Sequence, residues 1–435
     1  MKTVHNFVKS EDALFSSSVR SFLPQDAIVP FPSVSYNCMV EKGALVSEGQ
    51  VIASAIQQES NVMVGADVHA PIPGTVTDII TCKLADGTVG SAVKIHLSGA
   101  FSYLGRKQEH TQWSTFTADY LLSELCQKGV VNTFAKPEAL SAQIKARVSV
   151  KNRFLVVRMF DEDPSRVTDS FIASRMTEQV VEGAAITAHA LRAIGVIFAL
   201  PQKPLFVLDD FVEKILGGIP FCTVTCDTNR YPSGFAQNIL QQVRKAIAQE
   251  NKEPFGNINH RCLFIDPETA VSVYDAIALG IPVVERYVHV TGKDLPSAAL
   301  FKVRIGTTLG ALAKQCGGLS TEKPNIIVNG LIRGAFVTDM NIPVGKYVKS
   351  VEFVDRSPKK DQKFAPCIHC GKCRSICPEH IYPDLIYRYC TCGKIEEKGL
   401  LEIVDLCSDC GLCNSHCPSR LPLCQAIASL RSQQK

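Results

Sequence analysis

Between residues 31 and 99, short runs rich in β-branched residues alternate with Gly and Pro. That rhythm predicts short strands joined by tight turns. From about residue 116 the period changes. Helical spacing over Ala118 to Gln127, Ala173 to Ala193 and Phe235 to Gln249 alternates with four apolar runs: Arg153 to Met159, Gly195 to Leu200, Phe221 to Cys226 and Cys262 to Ile265. Strands alternating with helices of this length predict βαβ units and a parallel sheet. Residues 286–345 form a further unit. It has a strand from Arg286 to Gly292, a short helix from Thr308 to Cys316 closed by Gly317 and Gly318, and a strand from Pro324 to Gly330. After residue 345 the pattern gives way to charge. Lys346, Lys349, Arg356, Lys359, Lys360 and Lys363 face Glu352, Asp355 and Asp361. This stretch is expected to be a solvated linker, or a basic patch on which an acidic redox partner docks.

The segments Gly43 to Ala53 and Val68 to Val76 have the pattern of the two halves of a small barrel sandwich, similar to biotinyl and lipoyl domains. Those domains carry their cofactor on a Lys at a hairpin tip. No Lys lies between Ala53 and Val68, so the module is expected to be structural or docking, not a swinging arm. The expected divisions are 1–115, 116–285, 286–345 and 346–435.

Composition refines this picture only in places. The chain has 435 residues, 46% hydrophobic and 20% charged, which fits a globular protein of several domains. Its 46 basic and 42 acidic residues are too evenly balanced to indicate nucleic acid as a partner. The first ten residues lack the apolar core of a signal peptide. The longest apolar stretch, Gly183 to Leu200, contains His189 and Arg192. A charge near the centre of a membrane span costs ~2.5–3.5 kcal/mol, so the stretch is expected to be a buried helix (Val180 to Ala193) followed by a strand.

The 18 cysteines change the picture most. Eleven of them lie in residues 367–435. Cys367-x2-Cys370-x2-Cys373-x3-Cys377-Pro378 is repeated without deviation as Cys407-x2-Cys410-x2-Cys413-x3-Cys417-Pro418. In such dicluster runs three thiolates come from one tight loop and the fourth ligates the other cube. The expected sets are Cys367, Cys370, Cys373 and Cys417 for one [4Fe–4S] cluster, and Cys407, Cys410, Cys413 and Cys377 for the second. An all-cysteine zinc site would use two CxxC pairs and leave the third and fourth cysteine of each run idle. Cys390, Cys392 and Cys424 have no slot left and are expected to be packed thiols. His369 and His416 are expected to shield or tune the clusters. The free thiols suit a reducing compartment.

With these motifs in view, the chain resembles the C subunit of the Rnf electron-transport complex, an ion-pumping ferredoxin:NAD oxidoreductase of bacterial membranes. The resemblance covers about residues 20–435. It is carried by Cys417 to Leu423, Tyr274-Asp-Ala276, Gly280 with Pro282, Glu285-Arg286, Val288 to Gly292 and the 43–76 barrel. It implies a multi-domain α/β chain: a barrel sandwich, an α/β domain like the flavin subunit of complex I, a β-grasp-like soluble-ligand-binding (SLBB) domain, and a dicluster ferredoxin domain. It also implies FMN, NADH, membrane subunits and an iron–sulfur redox partner, with the chain peripheral on the cytoplasmic face of the inner membrane.

Four stretches depart from the family on its flavin and nucleotide side. The family's Gly-rich loop is here Val131 to Glu138, with no glycine after Gly129. Glycines let successive N–H groups curl around a phosphate, and Pro137 has no N–H to offer. The other departures are Phe160 to Pro164, Tyr231 to Ala236 and Asn329 to Gly334. FMN and NADH binding are therefore expected to be weakened or lost. Lys136, Asp161, Glu162 and Asp163 remain as candidates for a residual site. The competing expectations are a soluble RnfC-related reductase, such as the cobalamin reductases that share the architecture, and a largely structural docking subunit.

Overall fold

A computed structural model describes residues 19–31, 36–55, 65–208, 211–229, 231–250, 255–320, 324–354, 364–392 and 398–433. The barrel sandwich forms as the turn pattern predicts. One sheet orders Asp26–Phe31, Val89–Leu97, Gly74–Lys83 and Leu45–Val46, all antiparallel. The facing sheet orders Tyr36–Cys38, Val51–Ala55 and Val68–His69. Strand Asp26–Phe31 alternates half-buried and buried positions, placing Ala27, Val29 and Phe31 inside. Residues 56–64, within the segment that lacks a Lys, lie outside the described residues.

The α/β body is a four-stranded parallel sheet in the order Phe221–Cys226, Gly195–Pro201, Phe154–Arg158, Leu263–Ile265. Phe154–Arg158 is buried at every position, as expected of a strand covered on both faces. The apolar stretch after Gly183 divides as expected, into helix Thr177–Leu191 and strand Gly195–Pro201. Helix Thr177–Leu191 packs against Pro267–Ile277, and Gly183 permits the contact. A Cβ there would stand 1.8 Å from the Ala270 carbonyl oxygen. The strand order reverses between Phe154–Arg158 and Leu263–Ile265. In doubly wound sheets, ligands bind at the carboxyl ends of the strands at such a switch point.

A six-stranded mixed sheet orders Arg20–Phe22, Ala299–Arg304, Glu285–Gly292, Ser350–Val354, Asn325–Val328 and Ala335–Val337. Helix Leu309–Gln315, capped by the Thr308 side chain, covers one face. Ser350–Val354 pairs with Glu285–Gly292 and Asn325–Val328, so this sheet extends past the edge expected at residue 345. The solvated linker is also corrected in its first part, because Lys349 is 1% exposed and Lys346 donates to two backbone carbonyls. Arg356, Lys359, Lys360 and Lys363 lie outside the described residues.

The C-terminal module contains helices Lys372–Ile376, Pro383–Cys392, Lys398–Asp405, Leu412–Ser415 and Leu423–Gln433. Among the described residues no helix is long and apolar enough to cross a membrane.

Candidate functional site: the cysteine module and the cleft beneath it

The two cysteine runs share a backbone as well as a spacing. Left-handed φ angles fall at equivalent positions: His369 and Asp409 (54° and 56°), Gly371 and Gly411 (70° and 76°), His380 and Arg420 (53° and 56°). The first two of these turns lie between the three closely spaced cysteines of each run, and the third follows the fourth cysteine.

Cys367, Cys370, Cys373 and Cys417 line one small cavity, together with Leu421 and Leu423. Cys417 of the second run thus lies with three cysteines of the first. In the second run, Cys407, Cys410 and Cys413 gather near one another, and Cys377 interacts with Cys410. Cys377 and Cys407 also pack on the same apolar cluster, formed by Ile381, Ile386, Val404, Ile427 and Leu430. Among the described residues no three His, Cys, Asp or Glu side chains close on a single metal-sized point. A cube does not require that, since its four thiolates bind four separate irons. The all-sulfur donor set, the cavity and the crossed fourth cysteine fit a [4Fe–4S] cluster at the first site, and the repeated backbone extends that fit to the second.

Burial pushes the Cys407 thiol up to about 12, and those of Cys373 and Cys410 up to about 11. Without metal these sulfurs keep their protons, so iron binding must displace them.

The second cysteine loop sits on the α/β body. The Tyr231 hydroxyl donates to the Cys410 carbonyl at 2.6 Å. Phe235, Cys410 and Leu412 share an apolar cluster with Tyr231 and Ile376. Lys136 reaches Asp409 at 3.4 Å. Lys136, a candidate for the flavin site, is thus an exposed side chain paired to the cysteine loop.

All four departing stretches line one cleft of about 240 Å³. Lys136, Glu162, Asp163, Tyr231, Asn329 and Arg333 border it. It lies where the switch point predicts, beyond the carboxyl end of Phe154–Arg158. Its charged groups are turned on each other. Glu162 accepts from Arg166 at 3.1 Å and is ion-paired to Arg333. Those guanidiniums, with Arg158, hold the Glu162 carboxyl below the usual range although burial pushes it up. Asp163 accepts from Ser165 N–H at 2.8 Å and from Ile332 N–H at 3.4 Å. Gly330, at φ 105°, is required here, because a Cβ would stand 2.4 Å from Asp163 Oδ2. Asp161 accepts from the N–H groups of Asp169 and Ser170 in the first turn of Thr168–Arg175. The acidic run does not stand in solvent: Asp161, Glu162 and Asp163 are 8%, 7% and 2% exposed.

The cleft offers FMN little room, and the stretch from Val131 to Glu138 that borders it has no glycine. Small-molecule pockets run from about 300 Å³ upward, and this space is smaller. The stretch aligned with the phosphate loop forms two short antiparallel strands, Val131–Asn132 and Glu138–Ala139. A short helix, Leu140–Lys145, follows it directly, and the Leu140 N–H is already bonded to the Val130 carbonyl.

Beneath the cleft lies a cluster that sequence reading missed. Lys349 Nζ donates to both Asp169 oxygens, at 2.7 and 2.9 Å, and to Asp266 Oδ2 at 2.7 Å. Arg158 reaches Asp169 at 3.1 Å, and Thr133 donates to Asp266 at 2.9 Å. Asp266 also caps helix Pro267–Ile277 through Thr269 N–H. Burial alone would raise the Asp266 carboxyl, but Lys349 and Arg158 hold it well below the usual range.

The chain is similar to the C subunits of ion-translocating oxidoreductase complexes. Residues 16–99 match the RnfC barrel sandwich hybrid domain. The chain is 24% identical over 374 residues to the C subunit of a Na+-translocating ferredoxin:NAD+ oxidoreductase complex of Acetobacterium woodii, covering 84% of this chain and 81% of that one. It is 26% identical over 397 residues to the C subunit of an ion-translocating oxidoreductase complex of Actinobacillus succinogenes, covering 88% of this chain but only 54% of that longer relative. The C subunit of a proton-translocating ferredoxin:NAD+ oxidoreductase complex of Clostridium ljungdahlii is 23% identical over 351 residues, 80% and 74% of the two chains. Among solved structures, an NAD+-reducing [NiFe]-hydrogenase aligns over 75% of this chain and 63% of its own, at 16% identity and a TM-score of 0.47.

Proposed function

We propose that this chain is the iron–sulfur electron-transfer subunit of an Rnf-type, membrane-associated ion-translocating oxidoreductase complex. Two [4Fe–4S] clusters, when bound, supply adjacent one-electron carriers. Cys367, Cys370, Cys373 and Cys417 hold the first; Cys407, Cys410, Cys413 and Cys377 hold the second. Leu421 and Leu423 keep water from the first sulfur set, and Tyr231, Phe235 and Lys136 fix the second loop on the body. The observation that carries this reading is the gathering of Cys417 with three cysteines of the other run around one cavity.

The self-paired cleft favours a relay charged by a protein partner over one that oxidises NADH itself. Membrane contact would come through partner subunits on the cytoplasmic face, with an iron–sulfur protein at one end of the relay. The test is an anaerobic absorption spectrum of the reconstituted chain. Dithionite should bleach the clusters and NADH should not, with no flavin released on denaturation. Bleaching by NADH alone would restore the NADH-oxidising reading and overturn this one.

A further inference from the structure

The two cysteine loops share a spacing and a backbone but not a setting. The second is seated on the body, and the first is open at the same positions. A Cβ at Gly411 would stand 3.1 Å from the Ile332 carbonyl oxygen, while at the equivalent Gly371 nothing lies within 4 Å. Leu412 is 3% exposed, in the apolar contact with Phe235 and Tyr231, and its counterpart Lys372 is exposed. Cys410 is buried and Cys370 is exposed. Ser408 is half-buried, and its counterpart Ile368 is 65% exposed. Among the described residues, the face that seats the second loop is therefore bare in the first.

That bare face has apolar and cationic parts. Ile368 lines the cavity of the first sulfur set, as does Ser419. Phe364 is 67% exposed, and its segment is pinned to the same wall. The Ala365 N–H donates to the Ser419 carbonyl, and Ser419 Oγ donates to the Pro366 carbonyl at 2.8 Å. Arg420, next to Ser419, and Lys372, next to Cys373, are exposed, and neither is ion-paired among the described residues. The carboxylate that lines the cavity, Asp384, is held by Arg374 at 2.7 and 2.6 Å, so it does not neutralise them. Exposed apolar side chains beside unpaired cations have the make-up of a docking site with an apolar core and a charged rim.

We propose that this face, made by Phe364, Ile368, Lys372 and Arg420, docks an acidic iron–sulfur protein, so that electrons cross the boundary of the chain at the first sulfur set and not at the second. The inference rests on the two-cluster reading above and adds which end of the relay faces outward. Cubes exchange single electrons, so the occupant must be a one-electron carrier. Its rim must be acidic to match the two cations. A second copy of this chain, presenting the same face, would set like charges against each other. One electron lost by the partner's cluster is gained by the set at Cys367, Cys370, Cys373 and Cys417, with no bond or proton changing hands. The second set, whose loop is covered by Ile332, Phe235 and Tyr231, takes its electron from the first.

The test is isothermal titration calorimetry of the anaerobically reconstituted full chain with an oxidised bacterial two-cluster ferredoxin, an acidic iron–sulfur protein, at low and high salt. Wild type should bind at low salt and more weakly at high salt. Lys372→Glu combined with Arg420→Glu should weaken low-salt binding about tenfold or more and flatten the salt dependence. Ile368→Ser probes the face independently of its charges and should weaken binding at both salts. Lys94→Glu, on the barrel, should bind as wild type does. Iron content should stay at the wild-type value throughout. In stopped-flow mixing, reduced ferredoxin should bleach wild type faster than the charge-reversed chain, while dithionite bleaches both alike. Absence of binding by an iron-loaded wild type, undiminished binding by both the charge-reversed chain and Ile368→Ser, or an equal loss in Lys94→Glu would each overturn the inference and leave the relay standing. A wild-type chain that holds no iron would instead overturn the relay itself.

Discussion

The Tyr231 hydroxyl donates a 2.6 Å hydrogen bond to the carbonyl of Cys410, joining the α/β body to the second cysteine loop far along the chain. The bond sits in an apolar contact made by Phe235 and Leu412. It therefore fixes where the second sulfur set stands over the cleft. Tyr231→Phe should cost about 1 kcal/mol, the net worth of a typical hydrogen bond. Hydrogen exchange should show faster amides in the 407–413 loop with iron content unchanged. Exchange as slow as in wild type would mean that the contact does not hold the loop.

The crossed ligand sets predict a pairing of defects. Cys417→Ser should remove the cluster of the first run, although Cys417 belongs to the second. Cys377→Ser should remove the cluster of the second run. Each variant should keep roughly half of the about eight irons of two cubes. Combining Cys417→Ser with Cys367→Ser should cost no more iron than either alone, whereas Cys417→Ser with Cys407→Ser should lose both clusters. Iron analysis of these pairs decides the assignment.

Lys349 neutralises Asp169 and Asp266 where none of the three meets solvent. Removing one partner of a buried ion pair leaves an uncompensated charge and typically costs ~3–5 kcal/mol. Lys349→Met should lower the urea midpoint accordingly, while Lys94→Met, at a half-exposed position on the barrel, should not. A small effect from Lys349→Met would show that the two carboxyls are protonated or reached by water.

How far the sequence reveals this molecule depends on where each residue's partners lie. Helix Ala118–Gln127 and strand Phe221–Cys226 match their periodic patterns because local spacing alone specifies them. The cysteine runs were legible for the same reason. Lys346 and Lys349 were not. They open a charge-rich stretch that reads as linker, and their partners are Asp67, Gly129, Asp169 and Asp266, all remote in sequence. The acidic run Asp161 to Asp163 misleads similarly. Its polarity suggests solvent, but arginines and helix N–H groups from elsewhere bury it.

Lys346 predicts a pH dependence. Burial between the carbonyls of Asp67 and Gly129 lowers its amine from 10.5 to about 7. Between those values the unfolded chain binds more protons than the folded one, so stability should rise with pH, by up to ~1.4 kcal/mol per unit. Below about 7 both states are protonated and this contribution is flat. The neighbouring His69 is lowered from 6.5 to about 3, by burial first and by Lys346 second. Its contribution should be present above 6.5 and lost as the pH falls towards 3. Denaturation midpoints across pH should show the alkaline rise in wild type and its loss in Lys346→Met. Identical slopes would contradict the buried, proton-shedding amine.

The central claim is that the repeated cysteines hold two cubes. Iron and acid-labile sulfide should be quantified on the anaerobically purified chain, followed by EPR of the dithionite-reduced protein. The account predicts about eight irons and about eight sulfides per chain, with signals from two interacting [4Fe–4S] clusters. Stoichiometric zinc, or iron near zero after anaerobic reconstitution, would contradict it.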